Sequence, residues 1–324
     1  MHSLDDVVAI EGHKTAHLER IHREQRRLGC EDFVFLCGDS SLDNKHWFFQ
    51  KAAHGPIQAQ EMNDDSITAP ALNGYESVLS AGRRKGGQGA RMAMDVSYWF
   101  NRLAEEEQGS LAQCTIMASV EASTAADRHH FGLLPQDEFI RDTITPSDCI
   151  VMSIGGNDIA LAPTWATAVN MALLNVSPYW LIWLGLAPGQ RHFNRWFHMV
   201  ILSYIRKLVA KTIPRKVVVN MIYFPDQTVD PDAWPAATLR LLGYDADPAK
   251  LQYIIRTLFA ALQASSTGDG IPADLRERGL CVEACPLYTV LDGTDSGDYE
   301  QRVEPSVQGG RKIARALLPR LAIE

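Results

Sequence analysis

Five short segments dominated by apolar residues punctuate the chain, at residues 34–37, 114–120, 148–154, 216–224 and 280–286. Each has the length of one strand, and the lack of regular polar alternation suits strands buried on both faces of a parallel sheet. Between them the period changes to that of a helix. Residues 94–103 place Val96, Trp99, Phe100 and Leu103 on one face, and residues 248–264 do the same with Leu251, Ile254, Ile255 and Leu258. Residues 193–211 and 309–321 read as two further amphipathic helices, and residues 131–144 and 232–242 as loops with short helices. Residues 69–79 end in a short amphipathic turn, and residues 1–29, rich in charge and histidine, read as a polar helix leading into the first strand. Strands alternating with helices predict one three-layer α/β/α domain over residues 1–324, with a parallel sheet of about five strands and helical insertions.

The most apolar stretch, residues 164–187, carries no charge and opens an insertion that runs to about residue 210. Its length raises the question of a membrane span. Asn170, Asn175, Ser177 and Pro178 stand against one, as does the absence of a basic cluster before it. A buried structural insertion and an acyl-binding lid or membrane-contacting element both remain open. Trp180, Trp183, Trp196 and Phe197 suit the last of these, because indoles favour an interface.

Composition adds limits. A formal net charge of -8 argues against a nucleic-acid partner. Hydrophobic residues at 46% and charged residues at 22% are ordinary globular values, enough for a sizeable core. Residues 1–29 lack the apolar region of a secretory signal, and with six cysteines this predicts reduced, buried thiols and a cytoplasmic location. Cys281 and Cys285 form C-x-x-x-C with no second pair to complete a zinc site, so no metal and no cofactor are expected. The glycine-rich stretch 82–89 lacks the phosphate-loop pattern G-x-x-x-x-G-K-[ST] and follows no apolar strand, which makes it a surface loop.

The chemistry gathers where the first strand stops, at Gly38-Asp39-Ser40. A serine at the carboxyl end of a central strand stands where open α/β sheets bind their ligands. Asp43 and Asn44 extend the match to G-D-S-x-x-D-N, which resembles the first block of the SGNH, or GDSL, hydrolases. Residues 153–158, with Gly156, Asn157 and Asp158, resemble that family's G-x-N-D block. The resemblance implies a flavodoxin-like strand order 2-1-3-4-5 and a serine esterase or lipase with Ser40 as nucleophile. It further implies an oxyanion hole from the Ser40 N–H, the Asn157 amide and the residue at the position of Ala122, where the family has glycine. An alanine there keeps its N–H available if its φ is negative. Asp158 is expected to cap a helix or fix a loop.

The resemblance breaks at the end of the chain. Where the family has D-x-x-H-P, this sequence has Gln301, Arg302, Val303, Glu304 and Pro305. Three explanations compete: a catalytically inactive acyl- or lipid-binding protein, a histidine base from elsewhere such as His46, His129 or His192, or Glu304 itself as base. Charge arithmetic favours the third. A neutral histidine with aspartate carries one negative charge, and so does glutamate with neutral glutamine. Gln301 is expected to position the carboxylate, with Asp298 as a second partner and Asp39 supporting the turn. Arg302 must reach away from Glu304 for the carboxylate to act as a base. The expected substrate is a small-molecule or lipid ester with a hydrophobic acyl group, with peripheral membrane contact through residues 164–187.

Overall fold

The structure is a computed structural model that describes residues 11–49, 64–79, 89–108, 113–160, 165–266 and 271–321. Most of residues 82–89, the first residues of the polar N-terminal segment and the start of the 164–187 stretch lie outside them. Strands β1 (Asp32–Gly38), β2 (Gln113–Met117), β3 (Cys149–Ser153), β4 (Lys216–Met221) and β5 (Val282–Pro286) form one parallel sheet. Its order is β2-β1-β3-β4-β5, as expected from the sequence. The first strand is therefore central, and its C-terminal end is the point where the chain changes direction across the sheet.

Alternate residues of β1 serve the two faces. Phe33, Phe35 and Cys37 enter one core, together with Leu18 of α1 (Thr15–Arg27). Val34 and Leu36 enter the other, with Val96, Phe100 and Leu103 of α2 (Val96–Gln108). Helices α3 (Ala125–His130) and α4 (Pro135–Thr143) follow β2, and α5 (Gly156–Ala160) follows β3. The last helix, α11 (Val307–Leu321), closes the α2 side with Ile313, Ala314, Leu317 and Leu318.

The apolar insertion resolves into α6 (Trp165–Val176), α7 (Tyr179–Trp183) and α8 (Gln190–Leu208). Pro178 and the left-handed Gly185 and Gly189 break it up; a Cβ at Gly189 would stand 2.1 Å from the Asn170 carbonyl oxygen. Among the described residues no helix is long and apolar enough to cross a membrane. Met171, Leu174 and Ile182 pack into the core, whereas much of the rest of α6 and α7 faces outward. Two more helices, α9 (Ala236–Leu241) and α10 (Pro248–Ser266), lie between β4 and β5 in sequence.

The cysteines depart from expectation. Cys30 and Cys114 form a disulfide across a sequence separation of 84, while Cys37, Cys149, Cys281 and Cys285 are free. The reason lies in the strand order. Cys30 precedes β1 and Cys114 opens β2, and these neighbouring parallel strands start side by side.

Candidate active site

Ser40 sits on a turn that only glycine can open. Gly38 has φ +124°, and a Cβ there would lie 1.8 Å from the Ser153 carbonyl oxygen on the adjacent strand. The Asp39 N–H donates to that same oxygen at 3.0 Å, which ties the turn to β3. Asp39 Oδ1 accepts from the Ser41 N–H at 3.1 Å, and Ser41 Oγ lies 2.6 Å from it and 2.7 Å from Ser153 Oγ. With its neighbours on both sides held, Ser40 lines a cavity above the sheet.

Glu304 reaches the same cavity from the far end of the chain. It belongs to a two-residue antiparallel pair, Tyr299–Glu300 with Glu304–Pro305. The flanking carbonyls are both clamped. Tyr223 donates its hydroxyl to the Val303 oxygen at 2.6 Å, and the Asn44 side-chain amide donates to the Pro305 oxygen. The tight turn before it puts Gln301 and Arg302 in the left-handed region, at φ +50° and +69°. That turn answers the question of Arg302. Its guanidinium reaches Asp245 Oδ1 at 2.9 Å and the Asp226 carbonyl at 3.2–3.3 Å, away from Glu304.

Burial, then the negative charge of Asp39, pushes the Glu304 carboxyl up to about 8. Contact with the Ser40 hydroxyl and the nearby Trp234 indole pull it down. The Trp234 N–H faces the carboxyl without closing a well-formed hydrogen bond. Asp39 itself is pushed up to about 6, chiefly by burial. Glu121, in the loop between β2 and α3, is pushed up to about 9 by burial and by Glu304, Asp43 and Asp39. Its Oε2 is buried with no protein partner among the described residues. Like charges in a desolvated space oppose one another's ionisation, so Glu121 loses its proton after Glu304 does.

Several expected roles are redrawn. Gln301 does not meet the Glu304 carboxylate; its Oε1 accepts from the Trp234 backbone N–H at 3.2 Å, so it holds the tryptophan that faces Glu304. Asp298 is a structural residue: Lys312 Nζ pairs with it at 2.7 Å and Gln308 donates to it at 2.8 Å, anchoring α11. Ala122 has φ +55°, contrary to the condition set for it, and its N–H lies against the carboxyl of Glu121 rather than lining the cavity. Asn157 does line the cavity, with its amide donating to the Ser123 carbonyl at 3.1 Å, which leaves a second N–H. Asp158 accepts from the N–H groups of Ala125 and Ala126 at 2.8 and 2.9 Å, capping α3. His46 packs edge-on against Trp47, His129 lies on α3 and His192 packs against Phe193; none of them lines the cavity with Ser40.

No family model matches the chain, and no curated protein matches it. Solved structures do. The acetylxylan esterase Axe2 from Geobacillus stearothermophilus shares 13% identity and a TM-score of 0.43 over 92% of this chain and 97% of its own. The lipase Lip_vut3 from a goat rumen metagenome shares 11% identity and a TM-score of 0.45, over 90% of this chain and 100% of its own. An extracellular lipase from Streptomyces rimosus shares 11% identity and a TM-score of 0.42, over 90% of this chain and 99% of its own. These likenesses are distant, and the chemistry of the site rests on its own residues.

Three site residues were not singled out in the sequence. Trp234 arrives on a loop whose path depends on Gln301. Glu121 stands beside Ala122 in a loop, with no spacing to mark it. Asn220 interrupts the apolar run of β4, which was its one visible signal. It is buried, lines the cavity, and neither atom of its amide has a protein partner among the described residues. The rest of the wall is largely apolar, with Ile154, Met171, Ile222, Leu239, Leu251 and Leu258. Among the described residues no group of three or more His, Cys, Asp or Glu is arranged to hold a metal ion.

Proposed function

We propose that this chain is a carboxylic ester hydrolase in which Ser40 is the nucleophile and Glu304 the general base. The observation that carries the reading is that Ser40 and the buried Glu304 carboxyl line one apolar cavity, the hydroxyl near enough to favour the charged carboxylate. Ser40 Oγ attacks the ester carbonyl as its proton passes to Glu304. The proton then goes to the leaving alcohol; in the second half Glu304 takes a proton from the water that attacks the acyl-enzyme and returns it to Ser40 Oγ as the acid leaves. The oxyanion is met by the Ser40 N–H and the free N–H of Asn157. Glu304 becomes neutral on taking the proton, so the oxyanion faces no cation and depends on those two donors.

The cavity wall favours a hydrophobic acyl group. Leu251, Ile254, Ile255 and Leu258 on α10 line it over two turns of helix, roughly 10 Å at ~1.5 Å per residue, far more than an acetyl group fills. Turnover of aryl esters of increasing chain length tests the reading. Ser40→Ala and Glu304→Gln are each expected to lose ~100-fold or more while the fold is kept, with medium acyl chains preferred over acetate in the wild type. Undiminished ester release by Ser40→Ala would overturn the assignment, as would acyl binding by the wild type with no turnover from acid to alkaline pH.

A further inference from the structure

Three indoles of the insertion stand in the open: Trp165 is 84% exposed, Trp180 62% and Trp183 73%. Val176, Leu184 and Leu186 are exposed beside them in the sequence, at 79%, 50% and 63%. Isolated surface apolar residues are ordinary, but a concentration of large ones on two consecutive short helices marks an interaction surface. One of the two helices also borders the cavity, since Met171 of α6 lines it, while Ile182 anchors α7 in the core.

The charge pattern says what kind of partner this face meets. From residue 159 to residue 225 the sequence has seven Lys and Arg and no Asp or Glu, within a chain of net charge -8. Arg191 and Arg195, one turn apart at the start of α8, are exposed and make no ion pair among the described residues. Indoles favour the headgroup level of a bilayer, and unpaired arginines beside them attract anionic lipid. A second copy of the same face would instead set like charges together.

We infer that α6, α7 and the start of α8 form a docking surface for an anionic lipid interface. The surface shares α6 with the wall of the cavity that holds Ser40, which sets it next to the route a lipid ester would take. That last step rests on the ester-hydrolase reading; docking does not.

Sedimentation with vesicles therefore uses the Ser40→Ala protein, so that binding is read without turnover. It is expected to bind vesicles of phosphatidylcholine mixed with phosphatidylglycerol, and to bind less as salt is raised. Arg191→Glu with Arg195→Glu is expected to weaken this binding by roughly tenfold or more. Trp180→Ser with Trp183→Ser is expected to weaken it by about as much. In the catalytically competent chain both pairs should leave hydrolysis of a dissolved short-chain ester unchanged and lower that of a vesicle-borne ester. No binding of the Ser40→Ala protein to anionic vesicles would overturn the inference. So would binding that neither pair weakens, or a concentration-dependent dimer dissolved by these substitutions in place of vesicle binding. Loss of dissolved-ester turnover in the wild type, with vesicle binding intact, would count against the hydrolase reading alone.

Discussion

At Glu304 a weak base is strengthened by its surroundings. An ordinary glutamate titrates near ~4.3 and would hold a serine proton poorly at neutral pH. Burial and the charge of Asp39 carry this one to about 8, so kcat/KM is expected to rise with pH through that region as the base loses its proton. Asp39→Asn keeps an oxygen to accept from Ser41 but removes the charge, and should move that limb to lower pH. Glu121→Gln should leave the limb in place, because Glu121 is already neutral where Glu304 titrates. Rate profiles of the two variants against pH check both statements, and an unshifted Asp39→Asn profile would remove Asp39 as a cause. The sequence carried part of this story. The missing histidine and the glutamate at its position were plain to read. That Gln301 serves Trp234 rather than Glu304 was not, because it depends on two left-handed residues that no spacing rule announces.

At the scale of elements, the strands were legible because a central parallel strand is apolar on both faces, as 34–37 and 216–224 are. The disulfide was not, because pairing Cys30 with Cys114 requires knowing that β1 and β2 are neighbours. It closes a loop across a separation of 84 residues that contains β1 and the Ser40 turn. Replacing both cysteines with serine is expected to cost about 2–4 kcal/mol of unfolding free energy, mainly by freeing the unfolded chain. Chemical denaturation of the double variant measures it; an unchanged midpoint would show that the crosslink does not hold these strands. The insertion was legible as apolar but not as three helices. Its breaks come from Pro178 and from Gly189, which is forced by the approach of the Asn170 carbonyl.

Across the whole molecule, buried acids set how stability follows pH. Glu304 and Glu121 titrate in the folded state at about 8 and about 9, against ~4.3 in an unfolded chain. The folded protein therefore binds more protons than the unfolded one over that interval, and its stability falls as pH rises. His13 and His22, both depressed by burial, act oppositely below ~6.5, so the net decline belongs to the range above that value. The melting temperature is expected to drop from pH 7 to pH 9, and Glu304→Gln and Glu121→Gln should each flatten the drop. An equally steep fall in both variants would place its cause elsewhere. The hydrogen bond from Asn44 to the Pro305 carbonyl joins residues 261 positions apart, and α11 covers the β1 face just beyond it. During synthesis the Ser40 turn thus leaves the ribosome long before Glu304 does, and it lacks the carboxyl that shares its cavity until residues 299–305 follow. The assembled pair therefore reports that two segments far apart in the chain have met.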